Sequence, residues 1–165
     1  MYKRQKTAFF NAASGSHQRT GNYAGITVSS VAVRTQFEGQ PLRIVDLPGT
    51  YSLRAFSPEE AHVANELAKG EVDVIINVLD VNNLERNLLL TLQLRQYGVP
   101  MVGVLNMYDE FQESCSRLDI PELEKRLGMK LVPTVASKQR GVDEALREAV
   151  RLARAEAVSY THLTL

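Results

Sequence analysis

The second half of the chain alternates apolar runs with amphipathic helical patterns, and that alternation leaves few folds open. Residues 72–80 are apolar and β-branched, the pattern of a strand buried on both faces. Residues 83–97 carry leucine at 84, 88 and 92 and again at 89, 90 and 94, which predicts an amphipathic helix with a broad buried face. Gly98 and Pro100 end it. Residues 101–105 predict a further buried strand, Asp119-Ile120-Pro121-Glu122 opens a capped helix that stops at Gly128, residues 131–135 predict the last strand, and residues 141–157 a closing helix. Strands separated by helices in this way form an α/β, doubly wound, mostly parallel sheet, in which ligands lie beyond the carboxyl ends of the strands. Asn106-Met107-Tyr108-Asp109 and Ala136-Ser137-Lys138 fall at such ends.

The first half adds an antiparallel element. Val31, Val33, Thr35 and Phe37 alternate with Ala32, Arg34 and Gln36, the period of a half-buried strand, and residues 38–41 turn the chain into the apolar run 42–46. That run ends in Asp46-Leu47-Pro48-Gly49. A carboxylate at the end of a strand can hold Mg2+ through water, and a glycine lets its backbone N–H approach a phosphate; an ordinary Pro-Gly turn is equally compatible with these residues alone. Ser57-Pro58-Glu59-Glu60 predicts a helix start, running to Lys69 and ending at Gly70, with His62 on its surface.

The amino terminus is less regular. Lys6-Thr7 opens a helical segment over residues 8–13 that stops at Ser14-Gly15. Lys-Thr at a helix start is how a phosphate-binding loop ends, with the lysine reaching phosphates and the hydroxyl on Mg2+. Gln5 occupies the last glycine position of that pattern, GxxxxGK followed by Ser or Thr, and the preceding residues do not supply the rest. Residues 16–30 are polar and Gly-rich, a working loop in which Thr27 can offer a second hydroxyl and His17 is solvated.

Composition excludes some classes. At 165 residues and 44% hydrophobic the chain suits one domain with a proper core, and 19 basic against 19 acidic residues leave no positive field to favour nucleic acid. The single Cys115 cannot form an internal disulfide and reads as a loop thiol, which together with no signal-peptide pattern favours a reducing, cytosolic setting. No apolar stretch approaches the ~20 residues that span a bilayer.

Lys6-Thr7, Thr27, Asp46-Leu47-Pro48-Gly49, Asn106-x-x-Asp109 and Ala136-Ser137-Lys138 follow one another in the order of the five boxes of a small GTPase. More narrowly, residues 21–28 (Gly-Asn-Tyr-Ala-Gly-Ile-Thr-Val), 46–53, 84–88 (Leu-Glu-Arg-Asn-Leu) and Asn106-Met107-x-Asp109 resemble the N-terminal GTPase domain of the ferrous iron transport protein B (FeoB) family. The resemblance implies a Ras-like P-loop fold with one antiparallel edge strand. It implies guanine recognition by Asn106, Met107, Asp109, Ala136, Ser137 and Lys138, with Ala136 or Ser137 giving a backbone N–H to the base. Lys6, Thr7, Asn22, Tyr23, Ala24, Gly25, Thr27, Asp46, Leu47, Pro48 and Gly49 would form the phosphate and switch region, with Mg2+ on Thr7, Thr27 and Asp46 and K+ as an activator of hydrolysis. Thr50 stands where many GTPases carry a water-orienting glutamine, so hydrolysis should be slow. The partners implied are GTP and GDP, a helical spacer and a membrane-embedded domain that moves Fe2+, with no nucleic acid, and a place at the cytoplasmic face of the inner membrane.

In the family the first strand lies mid-sheet and leads into the phosphate loop, and residues 1–5 are too short and too charged to be either. Residues 1–5 and 158–165 therefore read as non-native flanks of an N-terminally truncated GTPase domain over residues 6–157, and such a chain should bind GTP weakly or not at all. Two further readings stand beside the iron-transport GTPase: a soluble GTPase of ribosome or tRNA biogenesis, disfavoured by Met107 and the lack of a basic tail, and a fragment without nucleotide binding.

Overall fold

A computed structural model describes residues 2–15, 30–54, 57–114 and 117–160. At its centre is β4, Met101–Asn106, whose six residues are all buried. It pairs in parallel with β3, Ile75–Asp80, on one side and β5, Lys130–Pro133, on the other, in the order β3-β4-β5. The register sets Asp80 beside Asn106 and Leu105 beside Pro133, so the carboxyl ends are level. Val102 and Val104 point to one face and Met101 and Leu105 to the other, as the two-residue period requires, and each face has its own core. α1 (Tyr2–Ala13) and α6 (Val142–Tyr160) cover the first through Phe9, Ala13, Ala145 and Leu146. α2 (Pro58–Ala68), α3 (Leu84–Arg95) and α5 (Ile120–Leu127) cover the second through Val63, Leu67, Leu90, Leu94 and Leu127.

β1 (Val31–Phe37) and β2 (Gln40–Asp46) form a separate antiparallel pair. Their two-residue turn puts Glu38 and Gly39 at φ 47° and 77°, the left-handed pair whose twist matches a tight hairpin. Arg147 on α6 grips the Glu38 carboxylate with two hydrogen bonds, at 3.0 and 2.7 Å. Among the described residues no strand lies between β2 and β3. The hairpin docks through side chains instead, with Leu42 and Ile44 packed on the same cluster as Phe9 of α1.

The predicted helix starts hold. Ser57 Oγ accepts from the Glu60 N–H at 3.2 Å and Asp119 Oδ1 from the Glu122 N–H at 3.0 Å. Other expectations are corrected. α1 begins at Tyr2, ahead of Lys6-Thr7, because Lys, Arg and Gln are good helix formers and residues 2–5 extend the segment backwards. β3 starts at Ile75, three residues later than expected, and a short helix, α4 (Tyr108–Glu113), follows β4 in a stretch to which the sequence assigned no element. The largest correction concerns α3. Leu89 and Leu92 are 47% and 52% exposed, while Asn87 and Thr91 are buried. The cause is Asn77 on buried β3, whose Nδ2 donates to Thr91 Oγ1 at 2.8 Å; Thr91 in turn donates to Asn87 O at 3.0 Å, and Asn87 Nδ2 to Asn83 O at 2.7 Å. A buried amide needs a polar partner, so the helix turns its polar stripe inward.

Gly141, between β5 and α6, has φ +75°, and a Cβ there would lie 2.3 Å from the Pro133 carbonyl oxygen; Gly98, at φ +71°, has nothing within 4 Å. Gly98→Ala should cost only the left-handed strain of about 1–2 kcal/mol. Gly141→Ala adds a backbone clash at the turn behind the candidate site, so its urea midpoint should fall further than that of Gly98→Ala at unchanged slope.

Candidate functional site

One side of the rim is built on the ends of β4 and β5. Asn106, the last residue of β4, is buried, and its Oδ1 accepts from the Ala136 N–H at 3.1 Å and, weakly, from Thr134 Oγ1 at 3.4 Å. With Oδ1 occupied, the amide nitrogen is the edge left to offer donors outward. Thr134 staples the two strand ends: its N–H donates to Leu105 O at 2.8 Å and its carbonyl accepts from the Tyr108 N–H at 3.1 Å. Met107 takes a left-handed conformation, φ 61°, which lifts the chain out of the strand and starts α4, with Asp109 in its first turn. Lys138 Nζ lies 2.7 Å from Asp109 Oδ2. That hydrogen bond holds the Asp109 carboxyl below its ordinary range against the opposing pull of desolvation, helped by the Glu110 N–H on Oδ1 at 3.1 Å. A cleft of about 240 Å3 lined by Tyr108, Asp109, Thr134 and Arg140 lies against this group.

The other side is built on the end of β2. Asp46 pairs with Lys6 of α1 at 2.6 Å, and Lys6 also donates to the Leu47 carbonyl. Leu47, Pro48 and Gly49 follow half-buried, and Thr50 is buried, its hydroxyl donating to Ser52 O at 2.5 Å. Two groups of α3 hold the rest of this loop: Gln93 Oε1 accepts from the Leu53 N–H at 2.7 Å, and the Arg86 guanidinium lies 3.7 Å over the Tyr51 ring. Thr7 is exposed on α1.

α1 joins the two sides. Gln5, 6% exposed, places Nε2 against Met107 Sδ at 2.7 Å, while the next residue, Lys6, reaches Asp46. Consecutive residues of one helix therefore touch both strand ends, so Lys6, Asp46, Met107, Asn106, Asp109 and Lys138 share one rim. Ala136 is part of it, with its N–H engaged by Asn106, while Ser137 is exposed. Asn22, Tyr23, Ala24, Gly25 and Thr27, like His17 and Cys115, lie outside the described residues. Thr134, Gln93 and Arg86 were not foreseen as site-building residues; the visible signal for Thr134 is a lone hydroxyl inside the apolar run 131–136.

The rim offers donors from the Asn106 amide beside an acceptor pair on Asp109, which suits a planar ring presenting acceptors at one edge and donors at the next. On the β2 side, the Asp46 carboxylate is of the kind that suits a hard cation such as Mg2+. Among the described residues no three His, Cys, Asp or Glu side chains gather into a metal cage, and none is required for such an ion.

The profile of the family described as "Ferrous iron transport protein B" matches residues 4–149. The chain is similar to the Fe(2+) transport protein A/Fe(2+) transporter FeoB fusion protein of Porphyromonas gingivalis, 45% identical over 140 residues, which cover 84% of this chain and 17% of that protein. Among solved structures it is similar to the cytosolic domain of the T. maritima FeoB iron transporter in GMPPNP form (TM-score 0.84, 32% identity, 90% of this chain and 59% of that one). It is also similar to the FeoB G-domain from Methanococcus jannaschii (TM-score 0.76, 33% identity, 90% of this chain and 88% of that one). The chain thus spans under a fifth of the length of the curated relative.

Because the Asp109 pKa is depressed, its stabilising contribution is complete above the unfolded value near 3.8 and is lost as pH falls through the lower folded value. Carboxyl 13C titration should place Asp109 below 3.8 in the parent and closer to it in Lys138→Met. Equal midpoints in the two proteins would show that Lys138 does not hold it.

Proposed function

The chain belongs to the FeoB family as its N-terminal G domain, and we propose that it binds GTP and GDP as the regulatory module of a ferrous iron membrane transporter. The observation that carries this reading is the convergence, through Gln5 and Lys6, of Asp46 with the Asn106-to-Asp109 corner. Asp109 accepts the N1–H and the 2-amine of guanine, and the Asn106 amide donates toward O6 and N7. Adenine presents the opposite groups, and a mismatch leaves buried polar atoms unpaired, so the site selects guanine. Lys138, already on Asp109, keeps that carboxylate ionised and positioned. Lys6 faces the phosphates, and Thr7, Thr27 and Asp46 are the residues that would hold Mg2+, which supplies charge neutralisation there. K+ is the proposed activator of hydrolysis.

Hydrolysis of GTP to GDP and phosphate is slow in this reading. The Thr50 hydroxyl is turned onto the Ser52 carbonyl, and no other side chain of the 47–53 loop is placed as a general base. Residues 2–5 are helical, so their N–H groups do not form a glycine-type cradle, and affinity rests on Lys6 and the base contacts. The remaining length of the relatives supplies the proposed partners, a helical spacer and a membrane-embedded Fe2+ pathway. No described helix is long and apolar enough to cross a membrane. In this reading the domain sits at the cytoplasmic face of the inner membrane, which the matched solved structures, cytosolic domains of FeoB, support. The relatives named above are iron transporters, which favours this reading over a soluble biogenesis GTPase.

Titration with a fluorescent GDP and unlabelled competitors tests the assignment. The parent should bind in the micromolar range or weaker, with GDP competing well ahead of XDP and ADP. Asp109→Asn replaces an acceptor oxygen by a donor amide that matches the 2-oxo group of xanthine, so GDP should lose roughly tenfold or more and XDP gain. ADP competing as well as GDP would refute the reading.

A further inference from the structure

The solvent face of the β1–β2 hairpin carries two positive charges set against each other. Phe37, Leu42 and Ile44 pack on the Phe9 cluster, so the two-residue period puts Arg34, Gln36, Pro41, Arg43 and Val45 on the opposite face. Arg34 and Arg43 are exposed and directly paired across the strands, and among the described residues neither has an ion-pair partner. The register sharpens the conflict. A hydrogen-bonded pair takes an N–H from both residues, which Pro41 lacks, so Gln36 and Pro41 form a non-hydrogen-bonded pair and, two residues on, so do Arg34 and Arg43. Such pairs hold their Cα atoms about 4.5 Å apart, and like charges placed there repel. No carboxylate of the hairpin relieves them: Asp46 lies on the Ile44 face, and Glu38 in the turn is taken by Arg147.

The same register leaves the edge of β1 able to pair. Residues in non-hydrogen-bonded pairs point their N–H and C=O away from the partner strand, so those of Ala32, Arg34 and Gln36 face outward, and among the described residues β1 pairs with β2 alone. We propose that this edge, with the Arg34 and Arg43 row beside it, docks an extended segment of a partner protein whose alternate residues are acidic. The segment adds a strand to β1 through the backbone of residues 32, 34 and 36, and every second side chain then stands on the arginine face. Carboxylates at those positions relieve the repulsion that the hairpin holds by itself. A second copy of β1 does the opposite, because pairing centred on Arg34 brings two further arginines to the row. Docking here needs no nucleotide.

The probe is a fluorescein-labelled octapeptide alternating Glu and Thr, titrated against the full chain by anisotropy, with an isomer that holds its Glu residues in one block as the control. The alternating peptide should bind more tightly than the block isomer. Arg34→Gln and Arg43→Gln should each weaken it about two- to fivefold, the worth of an exposed charge pair, while Arg154→Gln, exposed on α6, leaves it unchanged. On binding, amide hydrogen exchange should slow at residues 32, 34 and 36 and stay as it was at 33 and 35. Without peptide, Arg43→Gln should keep or raise the Tm, because it relieves a like-charge pair. A lowered Tm gives the arginines a structural role in the hairpin and overturns the proposal. Equal affinities for the two peptides, or unchanged exchange at 32, 34 and 36, overturn it as well. Arginine-dependent flotation with phosphatidylglycerol vesicles in place of peptide binding makes the face a membrane contact, and dimers that protect the same amides make it a self-association edge; either result replaces the acidic partner.

Discussion

The Asn106 side of the rim is positioned by the burial of β4. A strand with all six residues out of water must be paired on both edges and covered on both faces. Those demands produce the flanking parallel strands and the two helical layers. They also level the strand ends, so that Asp80 stands beside Asn106 and the Thr134 N–H reaches the Leu105 carbonyl. Asn106 is consequently a core residue that ends at the rim: its backbone belongs to the ladder, its side chain is buried, and the Ala136 N–H on Oδ1 fixes how the amide is turned.

Much of this was legible in the residues, because burial and periodicity are local signals. The β/α alternation, the helix starts at Ser57 and Asp119 and the breaks at Gly98 and Gly128 read correctly, as did the turns to polar sequence at Asn106 and Ser137 beyond the strand ends. The failures share a physical cause: each turns on a partner distant in sequence. Leu89 and Leu92 looked like core residues because leucine counting cannot see that Asn77 on another element needs the Asn87 and Thr91 face of α3. Gln93 and Arg86 hold the 47–53 loop across some 40 residues of chain, which no window of the sequence reports. The start of α1 failed differently: a phosphate-loop pattern was weighed above the plain helix propensity of residues 2–5.

The hairpin is attached to the rest by weaker means than the strands of the parallel sheet are to one another. No ladder joins β2 to β3; the connection runs through apolar contacts with α1, the Lys6 pair and the Arg147 grip on Glu38. The last of these is well exposed, and a surface pair of that kind contributes ~0–1 kcal/mol. Apolar contacts are non-directional and tolerate small shifts, whereas a β-ladder tolerates none without breaking bonds.

That asymmetry divides the two sides of the site. α3 is tied to β3 by the buried Asn77–Thr91 hydrogen bond and by the apolar packing of Leu90 and Leu94, and it carries the Gln93 and Arg86 tethers of the 47–53 loop. The other end of the same loop leaves β2 at Asp46. The 47–53 loop is thus tied to α3 through Leu53 and Tyr51 and to α1 through Lys6, which pairs with Asp46 and donates to the Leu47 carbonyl. The Asn106 side of the rim is stapled by Thr134 to the parallel sheet, whereas the Asp46 side is held to the rest of the fold by side chains alone.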